Sequence, residues 1–169
     1  RGANLAFPII FSIHGETLHN HYHGNVMRNG HIVVNDCGAE SANSYAGDLT
    51  RTFPVSGRFT ERQREMYQIV IEAQQKALDA IKPGVPHRDV HRLASRSLAQ
   101  GLKALGLMKG DVNEAVEQGA HAMFFQCGLG HMMGLDVHDM EDLGDVVGYP
   151  RGQKRDPQFG LNFLRLSRP

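Results

Sequence analysis

Apolar positions first cluster as β-branched runs, then recur at helical spacing, then lose any period, and these three regimes divide the chain. Residues 31–36, HIVVND, are bounded by Asn29-Gly30 and Cys37-Gly38 and predict a strand. Tyr45, Leu49, Thr50, Thr52, Phe53 and Val55 predict a second strand, ended by Ser56-Gly57. The turn-rich ESANS between them predicts an antiparallel hairpin. Thr60 with Gln63 three residues on is a capping-box pattern, so a helix opens there. Met66, Ile69, Val70, Ala73, Ala77 and Ile81 give it one apolar face, and Pro83-Gly84 stops it. A second helix runs from about Pro86 to Leu105, with Val90, Leu93, Ala94, Ser97, Leu98, Gly101, Leu102 and Leu105 on its buried stripe. Gly106 suits its C-terminal cap. Asp111, with Glu114 three residues on, starts a short third helix. From Ala120 the chain reads as irregular and strand-like, and the tail GYPRGQKRDPQFG as polar loop. Strands, then helices, then strands point to an α+β layer fold, and with no repeat or linker the expectation is one domain over 1–169.

Composition changes this picture little. A length of 169 residues, 41% hydrophobic and 21% charged, is ordinary for one globular domain with a core of its own. A formal net charge of zero gives no electrostatic ground for a nucleic-acid or anionic-membrane partner. No apolar run approaches the ~20 residues that span a bilayer. The start, RGANLAFPIIFSIHGE, is a poor signal peptide and lacks an initiator Met, so the chain is expected to begin inside a larger protein. Two cysteines, Cys37 and Cys127, make no disulfide framework, and a cytoplasmic setting is expected. Ten histidines are the one unusual feature.

Those histidines raise the chemical question. GLGHMMGLDVHD, residues 128–139, sets His131 and His138 among glycines and large apolar side chains. They are either satisfied core histidines or they face something that wants nitrogen ligands in a dry shell. Asp36 ends the first strand and Asp48 is expected inside the second, across the hairpin. Two carboxylates brought together there would need a shared proton or a cation, although spacing alone favours plain turn chemistry for both. His14, His19, His21 and His23 cluster in SIHGETLHNHYHG. In an extended segment the last three share one face, as a nitrogen-rich site or, for His21 and His23, as a solvent-facing edge. HRDVH places His87 and His91 one turn apart, but Arg88 stands where a zincin-type helix has its Glu, so a solvated helix start is expected.

Together, DCGAESANSYAGDLTRTFPVSGRFTERQREMY and FFQCGLGHMMGLDVHD, with TLHNHYHGNVMRNGHIVV upstream, resemble the aminopeptidase P/prolidase group of dinuclear metallopeptidases. The resemblance covers most of residues 15–140 and implies a partial pita-bread (creatinase/aminopeptidase-like) fold, a curved antiparallel sheet with helices on its outer face. It implies a proline-specific hydrolase that cleaves the Xaa-Pro bond of a peptide with proline in second position, as an aminopeptidase or a dipeptidase. The implied cofactors are two divalent metal ions, manganese first, with zinc, cobalt or iron as alternatives. The implied metal ligands are Asp36, Asp48, which bridges both ions, and His131. His138 and His19 take the catalytic and substrate-binding roles, His138 at the developing oxyanion or leaving group and His19 beside the substrate. A water bridging the two ions would be the nucleophile. The resemblance leaves room for a homo-oligomer of the full-length parent.

Three departures qualify these expectations. The family's two glutamate ligands, in an EPG-type and an R-x-ED segment, have no counterpart here, and the chain ends at LNFLRLSRP. The 169-residue chain alone is therefore expected to be an incomplete catalytic domain that holds metal weakly and does not turn over. Cys127 stands where the family often has a His four residues before the ligand His. The interval from Asp36 to Asp48 is twelve, one more than the commonest family spacing, which the ESANS turn can absorb. The rival from another class is a non-catalytic pita-bread module that binds peptides or proteins. The three intact ligands argue against it, and the paired aspartates argue against a metal-independent, creatinase-like hydrolase. TRTFPVSG and GLDVHD fit the proline-specific branch better than methionine aminopeptidase.

Overall fold

The strand expected at 31–36 forms as β2 (Ile32–Cys37), the middle strand of a three-stranded antiparallel sheet, in a computed structural model that describes residues 4–158 and residue 161. β3 (Leu49–Pro54) pairs with it in the register Ile32↔Pro54 to Cys37↔Leu49, which makes the expected hairpin. β1 (Ile10–Ser12) covers the other edge of β2, with Ile10 opposite Asp36. Three residues are too few to show a period, so the apolar patch at the start of the chain gave no strand signal. Alternation then sorts the side chains. Ile10, Ser12, Val34, Asp36, Thr50 and Thr52 share one face of the sheet, while Val33, wholly buried, lies on the other.

The described residues divide into two units. The first holds those up to Arg64 together with Met132–Asp139; the second holds Glu65–His131 and those from Met140 onward. In the first, Ala46 N–H donates to the Gly134 carbonyl at 2.8 Å, tying the returning segment 132–139 to the hairpin loop.

The capping box closes as expected. Thr60 N–H donates to Gln63 Oε1 at 2.9 Å, Gln63 N–H to Thr60 Oγ1 at 3.3 Å, and α1 (Glu61–Ala80) follows. Its buried residues are Ala73 and Ala77; Val70 and Ile81, expected on the inner face, are exposed. Small side chains mark this contact because α2 (His87–Ala104) comes close, with Val90 and Ala94 packed on Ala77. At Gly101 a Cβ would sit 2.5 Å from Ile69 Cγ2. Gly101→Val is expected to destabilise the second unit by about 1–3 kcal/mol through overpacking, read as a lower urea midpoint. Gly106, at φ 75°, ends α2, with Leu107 N–H bonded to Leu102 O and Gly106 N–H to Lys103 O. Asp111 caps α3 (Val112–Glu117) by accepting from Asn113 and Glu114 N–H.

Beyond Ala120 the structure departs from expectation. No strand forms among the described residues there; instead 3-10 turns occupy Ala120–Met123 and Glu141–Leu143, and α4 covers Asp145–Gly148. From Gly128 onward glycines recur at short intervals and break the apolar stretches before a strand's alternation can develop. Residues 149–158 are loop, as expected; Phe159, Gly160 and LNFLRLSRP apart from Leu161 lie outside the described residues. No described helix is long and apolar enough to cross a membrane.

Candidate metal centre

The sheet face that carries Asp36 is half closed by Ile10, Ser12 and Val34, so its carboxyl loses water on folding. That burial, the largest influence, pushes the Asp36 pKa up, and the charge of Asp48 with a side-chain hydrogen bond to it pushes the same way. The Thr50 hydroxyl, donating to Asp36 Oδ1 at 2.8 Å, and the nearby His19 pull down without cancelling the rise. A carboxyl that burial and a second carboxyl make hard to ionise is relieved by a divalent cation, so this pair fits a metal as donors. Asp48 stands one residue ahead of β3 rather than inside it. The ladder ends at Cys37↔Leu49, while Gly47 N–H turns to the Ala39 carbonyl and Ala46 N–H to Gly134.

That crossing depends on two glycines to which the sequence reading assigned no role in the site. A Cβ on Gly38 would lie 1.7 Å from the Gly47 carbonyl oxygen, and one on Gly47 would lie 2.9 Å from the Ala39 oxygen. The blocking atoms are backbone and cannot swing aside. Gly38→Ala is expected to force the hairpin apart beside Asp36 and Asp48. It should lower the melting temperature by several degrees and weaken the binding of a divalent metal ion, checked by calorimetry. The signal for this was present as a glycine two residues after one aspartate and another just before the other.

Of the four clustered histidines only His19 joins the aspartates. His14 pairs with Glu16 at 2.9 Å, His23 Nε2 donates to the Ile9 carbonyl at 3.0 Å, and His21 is exposed. The segment is not a strand, because His19 sits at φ 55°, in the left-handed region that costs a non-glycine residue about 1–3 kcal/mol. Such strain is held where surrounding structure over-determines it. The His19 ring meets His138 edge to face, centroids 6.4 Å apart at 73°. The first unit thus gathers Asp36, Asp48, His19 and His138.

His131 ends the 65–131 stretch of the second unit and is partly buried. Upstream of it, the expectation of a solvated helix start is overturned. His91 is 0% exposed, and burial holds its pKa down at about 4. Its Nδ1 accepts the Leu129 N–H at 3.1 Å, and its ring stacks on Phe125 with centroids 5.1 Å apart. His87, also lowered by burial, lies against Gly130. Charged neighbours in HRDVH masked a buried His91 and a half-buried His87, because what covers this turn of α2 comes from residues thirty and more positions away. Cys127 is exposed as a residue, yet partial desolvation of its sulfur pushes the thiol pKa up. Among the described residues no three His, Cys, Asp or Glu side chains stand close enough to hold one ion.

A sequence model of metallopeptidase family M24 matches residues 1–158. The chain belongs to family M24. It is 45% identical over 135 residues to the Xaa-Pro aminopeptidase of Escherichia coli, covering 80% of this chain and 30% of that protein. The human Xaa-Pro dipeptidase is 38% identical over 142 residues, 84% of this chain and 27% of that one. Among solved structures, zinc-substituted E. coli aminopeptidase P in complex with product superposes with a TM-score of 0.79 and 39% identity, over 92% of this chain and 35% of that one. The M24 chain is therefore α+β with part of the pita-bread fold, and spans about 30% of the length of the curated relatives it matches. Membership of a metallopeptidase family implies divalent metal ions.

Proposed function

We propose that the protein carrying this chain is a proline-specific metallopeptidase that hydrolyses the bond before a proline in second position. The observation that carries the reading is the Asp36–Asp48 carboxyl pair beside the edge-to-face His19 and His138 rings. The reading is supported by likeness to Xaa-Pro aminopeptidases and dipeptidases. When bound, two divalent ions supply the Lewis acidity that activates water and polarises the scissile carbonyl. Asp36 and Asp48 would hold them from the hairpin, and His131 would add an imidazole nitrogen. Mostly carboxylate donors with one imidazole suit manganese, with zinc, cobalt and iron behind it. His138 would place an N–H where charge develops on the substrate oxygen, a role worth about 2.7–4 kcal/mol for a well-aimed donor. His19, fixed in a strained backbone against His138, would orient the substrate. Free Cys37 and Cys127 fit a reducing compartment, so we place the protein in the cytoplasm.

The test is release from an Xaa-Pro dipeptide and from a longer Xaa-Pro peptide, with manganese added to the full-length protein. Hydrolysis of the longer peptide alone assigns an aminopeptidase and of the dipeptide alone a dipeptidase; hydrolysis of neither sinks the reading. The 169-residue chain by itself offers two carboxylates and one imidazole to two dications, so calorimetry should find weak manganese binding and no turnover. Two tight sites on it would contradict the donor count.

A further inference from the structure

Gly128 and Gly130 flank Leu129, so the backbone leading into His131 has little stiffness of its own. Helix α2 grips it at two consecutive residues. One turn of α2 presents His87 against Gly130, and the next presents His91, whose Nδ1 takes the Leu129 N–H at 3.1 Å. The Leu129 side chain packs on the Ala77, Val90 and Ala94 cluster, so the residue is held by its side chain and by its amide. The His91 ring cannot easily turn away, because Phe125 stacks on it and His121 meets it edge to face at 6.4 Å. Packing alone would be served by leucine at a position with 0% exposure, without the desolvation of an imidazole. What leucine could not do is accept a hydrogen bond. An Nδ1 that accepts must carry no proton, which makes His91 the neutral Nε2–H tautomer.

We propose that His91 is a positioning residue for the metal centre: its Nδ1, by holding the Leu129 amide, fixes the loop from which His131 projects. This rests on the reading of His131 as a ligand. Groups that orient a ligand from behind typically change metal affinity by about 10–100-fold when lost.

The test compares His91→Asn and His91→Leu in the full-length protein, two side chains of similar size of which only Asn keeps an acceptor near the Nδ1 position. Manganese affinity is read by calorimetry and exchange of the Leu129 amide by hydrogen-exchange mass spectrometry. His91→Leu should weaken manganese about 10–100-fold and speed that exchange, while His91→Asn stays within about threefold of wild type. Equal manganese affinity in the two variants overturns the proposal. A His131→Ala control separates the two ideas: if it leaves manganese binding intact, the ligand reading is what fails, and the exchange data still report on His91. Should His91→Leu not fold by circular dichroism, His91→Gln, whose longer amide carries the acceptor past Leu129, replaces it and its outcomes read the same way.

Discussion

Asp36→Asn in the full-length protein is expected to cut Xaa-Pro hydrolysis by about 10²–10³-fold or more and at the same time to stabilise the metal-free fold. Both effects have one origin. Folding removes water from the Asp36 carboxyl and sets it beside Asp48, so its ionised form is disfavoured unless a cation is present. A neutral amide relieves that cost and keeps an acceptor for the Thr50 hydroxyl, but it can no longer neutralise a dication. The linkage sign is definite. A carboxyl whose folded pKa is raised holds its proton in the native state after the unfolded chain has released it. The metal-free wild type should therefore lose stability as pH rises from the ordinary carboxylate range through the raised Asp36 value. Asp36→Asn should flatten that slope. Thermal melts with a chelator across that range, beside manganese titrations, decide it; a variant that loses metal and is also less stable would show the pair to be structural.

Acid should unfold the second unit through its imidazoles. His91 falls from an ordinary 6.5 to about 4, pushed first by burial and then by the charges of His121, His87 and Arg92. Protonating it would also occupy the Nδ1 that holds Leu129. The native state binds fewer protons than the unfolded chain between those values, so stability present above pH 6.5 is lost as pH falls toward 4. A separation of that size corresponds to about 3 kcal/mol, against a whole-domain stability of roughly 5–15 kcal/mol. His87 and His121 are lowered in the same sense, so the measured loss should exceed that of a single group. Urea titrations at pH 7 and pH 4.5 test it. The same drop in a His91→Leu variant would place the sensitivity elsewhere.

The parts of the fold legible in the sequence were those set by neighbours along the chain. The capping box at Thr60 and Gln63, the Gly106 stop and the Asp111 cap each use residues within a turn of one another, and each formed as expected. The hairpin was legible too, but the place of Asp48 missed by one residue, because the ladder is cut short by backbone bonds to Ala39 and Gly134 that no local pattern encodes. Helix periodicity placed Ala73 and Ala77 on the covered face of α1 but also placed there Val70 and Ile81, which stay exposed. His91 was misread for the same reason: its burial is made by Phe125, His121 and Leu129, all distant in sequence. Of the site, Asp36 with Asp48 and His19 with His138 came together in one unit from residues that the family resemblance had named. Their isolated spacings had carried no such signal.

The Gly47 to Ala39 hydrogen bond beneath the hairpin tip gives the loop a kind of modularity. Above it, Ser41 and Tyr45 close their own turn, with Tyr45 N–H on the Ser41 hydroxyl and Ser41 N–H on the Tyr45 carbonyl. Below it, the two aspartates are already in place. Length added at the tip is insulated from the carboxylates by that rung, and doubling such a loop costs only about 0.6 kcal/mol of closure entropy. The twelve-residue interval between Asp36 and Asp48 then marks a tip that can drift in length and sequence between homologues, and accept a grafted segment, while the chemistry underneath keeps its register.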